Sequence, residues 1–180
     1  MLCFIALLIS TIQGFSQEKT KSVDLSYFEK QRNDLRDLKI GTKLPILVAD
    51  GINGDVFNSE QTKRIVFYYF WYTDCGNACT NQLPLFNQLQ NQYKYTVDFI
   101  SITYDSKAKI EDFLQSQPFN FKHYIMPQSE IAITQITNGY PTTIIVIDGI
   151  IKYWNSGGPV DSKLINELSK QYIEILNQGK

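Results

Sequence analysis

The segment Ile65-Val66-Phe67-Tyr68-Tyr69-Phe70-Trp71-Tyr72-Thr73-Asp74-Cys75-Gly76-Asn77-Ala78-Cys79 decides how the chain is read. Its first eight residues are all β-branched or aromatic, the pattern of a strand buried on both faces. Beyond the cysteines, Leu83, Leu85, Phe86, Leu89 and Tyr93 recur at helical spacing, which predicts that the strand runs into a helix of about four turns. Cys75 then stands at or just before the first helical turn, where free backbone N–H groups and the positive end of the helix dipole favour a thiolate. Cys79, one turn on, shares that helix face, so its sulfur reaches Cys75. Position thus assigns Cys75 as the attacking thiol and Cys79 as the buried thiol that resolves a mixed disulfide. A structural bridge is the alternative. A loop this short removes little unfolded-state entropy, so redox chemistry explains the spacing better.

Working outward, short elements alternate. Upstream, Asp24 to Leu38 has apolar Leu25, Phe28, Leu35 and Leu38 and is expected to be an amphipathic helix capped by Asp24 or Ser26, ended by Gly41 and Pro45. Ile46–Val48 and Val56–Phe57 flank the glycine-rich turn 50–55 as a hairpin. Downstream come a strand at Val97–Ile102, a helix at Ala108–Leu114, a weak strand at Lys122–Met126 and a short helix at Ser129–Ile136. Thr142–Ile147 and Ile150–Trp154 form a second hairpin about Asp148-Gly149. Val160–Leu176 closes the chain as an amphipathic helix with Leu164, Leu168, Ile173 and Leu176 inward. This order builds an α/β fold, a central mixed sheet with helices on both faces and an N-terminal β-hairpin extension.

The 180 residues suffice for one domain with a proper core, and 43% of them are apolar. With 17 basic and 18 acidic residues and no basic run, the chain lacks the charge of a nucleic-acid binder or an electrostatic membrane anchor. Met1–Ser16 carries no charge and is apolar over Leu2–Ile9, about half the length that spans a bilayer. It reads as a signal peptide, residues 1–16, with Gly14 and Ser16 at −3 and −1 of a cut before Gln17, although no Lys or Arg precedes the apolar run. A buried N-terminal strand or helix is the alternative. Cys3 lacks the small-residue run that precedes a lipidated cysteine. The expected organisation is a linker and helix over 17–39 and the sheet domain over 40–180. The expected location is periplasmic or secreted, with no stable membrane insertion once the signal is removed.

From about Ile40 to Gly158, two-thirds of the chain, the sequence resembles the TlpA/ResA-type branch of the thioredoxin superfamily, exported bacterial thiol–disulfide oxidoreductases. The matching pieces are Ile40-Gly41-Thr42-Lys43-Leu44-Pro45, the strand into Phe70-Trp71, the cysteines, Pro84, and Gly139-Tyr140-Pro141-Thr142-Thr143 before Ile147-Asp148-Gly149. The resemblance implies a thioredoxin-like fold in which Pro141 is a cis proline facing the disulfide and Tyr140 offers backbone groups to a thiol substrate. It implies no organic cofactor. The partners it implies are exported proteins with disulfides or thiols and a membrane or periplasmic electron donor. From the residues alone, Pro141 is a proline before a strand.

Three positions depart from that pattern. The pair is Cys-x-x-x-Cys where the family has Cys-x-x-Cys. Gln82 stands where many relatives carry an acid able to exchange a proton with the resolving thiol. Asp74 replaces an aromatic and is expected to oppose the thiolate at Cys75. Cys-x-x-x-Cys after Tyr-Thr-x also resembles the Sco copper-delivery proteins, since soft Cu(I) takes two thiolates and a histidine. Tyr140 occupies the place where that histidine is expected, and His123 is the single histidine. A peroxiredoxin would need a proline where Tyr69 stands, and a structural zinc site would need four ligands. A catalytically idle thioredoxin-like binding module is the reading outside redox and metal chemistry.

Overall fold

Alternation along one strand organises the molecule. In the computed structural model, which describes residues 25–159 and 161–179, strand β3 (Ile65–Phe70) is buried at every position. Ile65, Phe67 and Tyr69, with Trp71 just beyond, pack into one apolar layer; Val66, Tyr68 and Phe70 pack into the other. Such a strand needs cover on both faces, and helices contribute to each. Helices α3 (Leu83–Tyr93) and α6 (Ser162–Gln178) cover the first, bringing Phe86, Leu89, Tyr93, Leu168, Tyr172 and Leu176. The second is closed by the N-terminal hairpin and by α5 (Gln128–Thr134), through Leu47, Phe57 and Ile131.

The sheet has seven strands in the order β2-β1-β5-β4-β3-β6-β7. Strands β4 (Val97–Thr103) and β5 (Lys122–Ile125) run parallel to β3, and β6 (Thr142–Ile147) and β7 (Ile150–Ser156) are antiparallel additions on its other side. The hairpin β1 (Val48–Gly51) and β2 (Val56–Asn58) extends the far edge. This is the mixed sheet flanked by helices that the sequence predicts, in a thioredoxin-like arrangement. Phe70 pairs with Ile102 on β4 and with Thr142 on β6, so the segments after β3, after β4 and before β6 meet at one end of the sheet.

Several local expectations shift. The strand does not run into one continuous helix. A 3-10 turn (Thr73–Cys75), the short α2 (Asn77–Thr80) and α3 follow in sequence. Pro84 has no N–H for the Thr80 carbonyl and its ring would crowd that carbonyl, so the helix restarts at Leu83. The first hairpin strand begins at Val48, because Leu47 exchanges its backbone bonds with Ser59. On α6 the inward stripe is Leu168, Tyr172 and Leu176, while Leu164 faces solvent.

Helix α1 (Leu25–Lys39) forms where expected; among its described side chains Leu35 packs on the core and Leu38 is exposed. It lies against β7, and Gly41 and Thr42 exchange backbone hydrogen bonds with Ile151, covering that edge strand. The proposed signal segment, Cys3, the linker 17–23 and the Asp24 cap lie outside the described residues. No helix among those described is long and apolar enough to cross a membrane. Phe86 is fully buried, with its ring centroid 4.8 Å from that of Tyr69 and 5.2 Å from that of Phe67. Truncation by Phe86→Ala is expected to cost about 3–5 kcal/mol, read in urea unfolding as a lower midpoint at unchanged slope.

Candidate active site

Cys75 and Cys79 are joined in a disulfide, with Cα atoms 5.6 Å apart. Their surroundings differ. Cys79 lies on α2 and is 1% exposed, whereas Cys75, in the turn before α2, is half-buried. Between the two cysteines Gly76, with φ of 69° and ψ of −156°, redirects the chain between the turn and the helix. A side chain there would be strained, so a glycine is what this turn requires.

Below the disulfide runs a buried polar chain. The Tyr69 hydroxyl donates to the Cys79 carbonyl at 2.9 Å, and Gln82 Nε2 donates to the Tyr69 oxygen at 3.0 Å. Gln82 is 1% exposed, and burial holds the Tyr69 phenol above its ordinary pKa, so this chain is neutral and fixes the backbone under Cys79. Tyr69 occupies the position where a peroxiredoxin would need its proline.

The other face of the pair is closed by the segment after β7. Gly158 lies so close to the Ala78 backbone that a Cβ would overlap it, and Asn81 Nδ2 donates to the Pro159 carbonyl at 3.2 Å. Next to it, the Gly157 amide donates to the Pro141 carbonyl at 2.7 Å. The Tyr140–Pro141 peptide is cis, at the end of the sheet where β3 leads into the cysteine turn. Among the described residues, neither the amide nor the carbonyl of Tyr140 enters a backbone–backbone hydrogen bond. Its ring meets those of Tyr72 and Tyr104 at 5.7 and 5.5 Å, and burial pushes its phenol up to about 12. On the α1 side, Tyr140 and Gly139 form the shared wall of two clefts of about 510 and 420 Å³.

The remaining predicted positions fall as follows. Asp74 is exposed but paired, its Oδ2 lying 3.2 Å from Lys109 Nζ, so its charge beside Cys75 does not stand alone. His123 is buried with both ring nitrogens engaged, Nδ1 at 2.6 Å from Ser101 Oγ and Nε2 at 2.9 Å from the Phe119 carbonyl. It packs against Trp71 and Phe119 and offers no nitrogen to the sulfurs. Among the described residues no three His, Cys, Asp or Glu side chains cluster to hold a metal ion. Asp105, Lys109, Tyr104 and the Gly157-Gly158 pair are the site neighbours the sequence did not single out. Only the glycine pair carries a local signal, two adjacent glycines after a strand.

The AhpC/TSA family profile matches residues 40–154. No curated protein matches the chain. Among solved structures, the chain is similar to a candidate thiol:disulfide interchange protein DsbE from Chlorobium tepidum, with a TM-score of 0.66 and 24% identity over 76% of this chain and 97% of that one. A candidate protein disulfide isomerase from Bacteroides thetaiotaomicron aligns with a TM-score of 0.65 and 18% identity, covering 77% of this chain and 90% of that one. A secreted Mycobacterium tuberculosis disulfide oxidoreductase aligns with a TM-score of 0.56 and 19% identity, covering 69% and 92%. At these identities the likeness establishes the fold.

Two outcomes test the geometry. Gly158→Ala is expected to push α2 away and slow disulfide exchange on the order of a hundredfold, with the circular dichroism spectrum of the fold retained. Burial lowers the pKa of His123 from the ordinary 6.5, so the unfolded chain binds this proton more readily than the folded one. Its contribution to stability is therefore complete above that pH and is lost as pH falls below it. The stability advantage of the parent over His123→Gln is expected to shrink between about pH 7.5 and about pH 5 in urea titrations.

Proposed function

Since the chain belongs to the AhpC/TSA family, we propose that it is an exported thiol–disulfide oxidoreductase that acts on protein disulfides through Cys75 and Cys79. The observation that carries this reading is the bridge itself. It sits at the end of the central strand, with one sulfur-bearing residue half-buried and the other sealed in the core. A bridge that closes so short a loop contributes little as a staple, and its unequal exposure separates an attacking thiol from a resolving one.

In the reducing direction, the Cys75 thiolate attacks one sulfur of a substrate disulfide. A Cys75–substrate disulfide forms, and the second substrate sulfur leaves as a thiolate that takes a proton from water. Cys79, after giving its proton to solvent or to the departing thiolate, attacks the Cys75 sulfur. The intramolecular bridge closes, and the first substrate sulfur leaves as a thiolate. Two electrons have passed from the pair to the substrate, and a dithiol donor outside the cytoplasm restores the reduced pair. The oxidising direction is the same sequence reversed. Tyr140 and the cis Pro141 are the substrate-binding residues, with the unengaged Tyr140 amide and carbonyl offered to an extended substrate segment. Export is supported by the uncharged, apolar Met1–Ser16 and by the secretion of a mycobacterial oxidoreductase of this fold.

Cysteine replacement tests the assignment. Cys79→Ser is expected to accumulate mixed disulfides with glutathionylated peptides and exported proteins, seen as mass adducts, whereas Cys75→Ser forms none and loses exchange. The parent should equilibrate with a glutathione redox buffer. A pair that never equilibrates, or one that turns over peroxide but no disulfide, would overturn the reading. Stoichiometric Cu(I) binding dependent on His123 would replace it with copper delivery.

A further inference from the structure

The three residues before Cys75 are each held by the turn that follows β4 or by the first turn of the helix after it. Tyr104 stacks on Tyr72, with centroids 5.7 Å apart and planes inclined by 25°. Asp105 Oδ2 accepts the Thr73 amide at 2.6 Å. Lys109 Nζ donates to Asp74 Oδ2 at 3.2 Å and lies 4.0 Å from Asp105 Oδ1. The grip runs in chain order, 72 to 104, 73 to 105 and 74 to 109. It is also braced from behind. The Asp105 amide donates to Thr103 Oγ1 at 3.2 Å, and Ser106 caps helix α4 (Lys107–Ser116), on which Lys109 stands. Asp105 is 7% exposed, so its carboxylate is a buried acceptor spent on one backbone amide and one lysine.

We propose that this β4–α4 junction is the positioning element for Cys75, with Asp105 fixing the backbone ahead of the sulfur and Lys109 cancelling the charge that Asp74 places beside it. The proposal rests on Cys75 being the attacking thiol. Asp105 and Lys109 act through Thr73 and Asp74, so they are positioning residues. The charged and titratable groups on the surrounding elements are few. Asp74 belongs to the cysteine turn, Asp105 to the β4–α4 turn and Lys109 to the first turn of α4. Tyr72, Tyr104 and Tyr140 form the aromatic cluster. Helix α2 and residues 157–159 bring no charge, and on α4 Lys107 and Glu111 pair with each other while Asp112 is exposed. On α1, Arg32 lies against Gly157, in the cleft that Glu29 also lines. Among the described residues, Lys109 is therefore the cation that meets Asp74. A chain with an aspartate before its nucleophile and no such lysine would hold its thiolate less well.

A charge cycle read by alkylation of Cys75 tests this in the reduced protein. Lys109→Ala is expected to raise the Cys75 pKa and slow iodoacetamide alkylation at neutral pH by about three- to tenfold at low salt. Asp74→Asn is expected to speed it, and the double variant to return it near the parent rate. The single-variant effects should shrink in about 1 M salt, where exposed charges are screened. Asp105→Asn keeps an oxygen for the Thr73 amide and should hold the parent rate or exceed it, whereas Asp105→Ala should slow alkylation. If Lys109→Ala and Asp74→Asn both slow the reaction, the double variant slows it further and salt changes nothing, the pair is a mechanical brace and the proposal falls. Exchange with a glutathionylated peptide is measured in parallel. If the charge cycle holds while no disulfide is turned over, the proposed function fails and the positioning role stands.

Discussion

The structure depends on β3 having no wet side. Each of its residues is buried, and alternate side chains enter different layers, one closed mainly by α3 and α6 and the other by the N-terminal hairpin and α5. A slip of one residue would exchange Phe67 and Tyr69 for Tyr68 and Phe70 between layers packed to fit one set and not the other. The register with β4 and β6 is therefore firmly specified. That register decides which segments meet at the end of the sheet. The cysteine turn leaves β3 there, the 104–109 segment leaves β4, and Tyr140–Pro141 enters β6.

The cysteine pair is consequently surrounded by supports that owe little to each other in sequence. Beneath it, Gln82 and Tyr69 hold the Cys79 carbonyl with neutral, buried hydrogen bonds. Beside it, Gly158 allows the backbone after β7 to touch that of α2. Ahead of it, Asp105 and Lys109 hold Thr73 and Asp74. Cys79 is locked by the first two supports and sealed from solvent, whereas Cys75 stands in a turn that the third holds while leaving it half-exposed. The asymmetry is built from packing, and it gives the two chemically identical thiols different access.

Much of this was legible in the chain. The run from Ile65 to Tyr72 read as a doubly buried strand, the second hairpin as Thr142–Ile147 and beyond, and α3 by the spacing of Leu83, Phe86 and Leu89. Where the reading failed, the cause was a competing local or tertiary effect. Periodicity at 83–93 was extended back across Gly76 and Pro84, although a positive φ and a missing N–H interrupt the helix there. Leu164 and Leu38 were counted among the apolar positions of their helices with Leu168 and Leu35, yet both are exposed, and Tyr172, which was not counted, is fully buried. His123 was weighed as a metal ligand until Ser101 and the Phe119 carbonyl proved to engage both of its nitrogens. The Asp74 charge was expected to oppose the Cys75 thiolate and partly offset the helix effect, and nothing near it in the chain announces Lys109.

The quoted segment by itself determined that a buried strand ends in a closely spaced cysteine pair, since strand propensity, alternation and spacing are written over a few adjacent residues. The order of the elements followed from the same short-range patterns, and the thioredoxin-like frame was what the family resemblance implied. Only the tertiary structure decided what surrounds the sulfurs. Thr73 meets Asp105 across 32 residues, and Asp74 meets Lys109 across 35. Those meetings are set by how β3 and β4 pair, and strand pairing depends on the packing of the whole sheet rather than on any local signal.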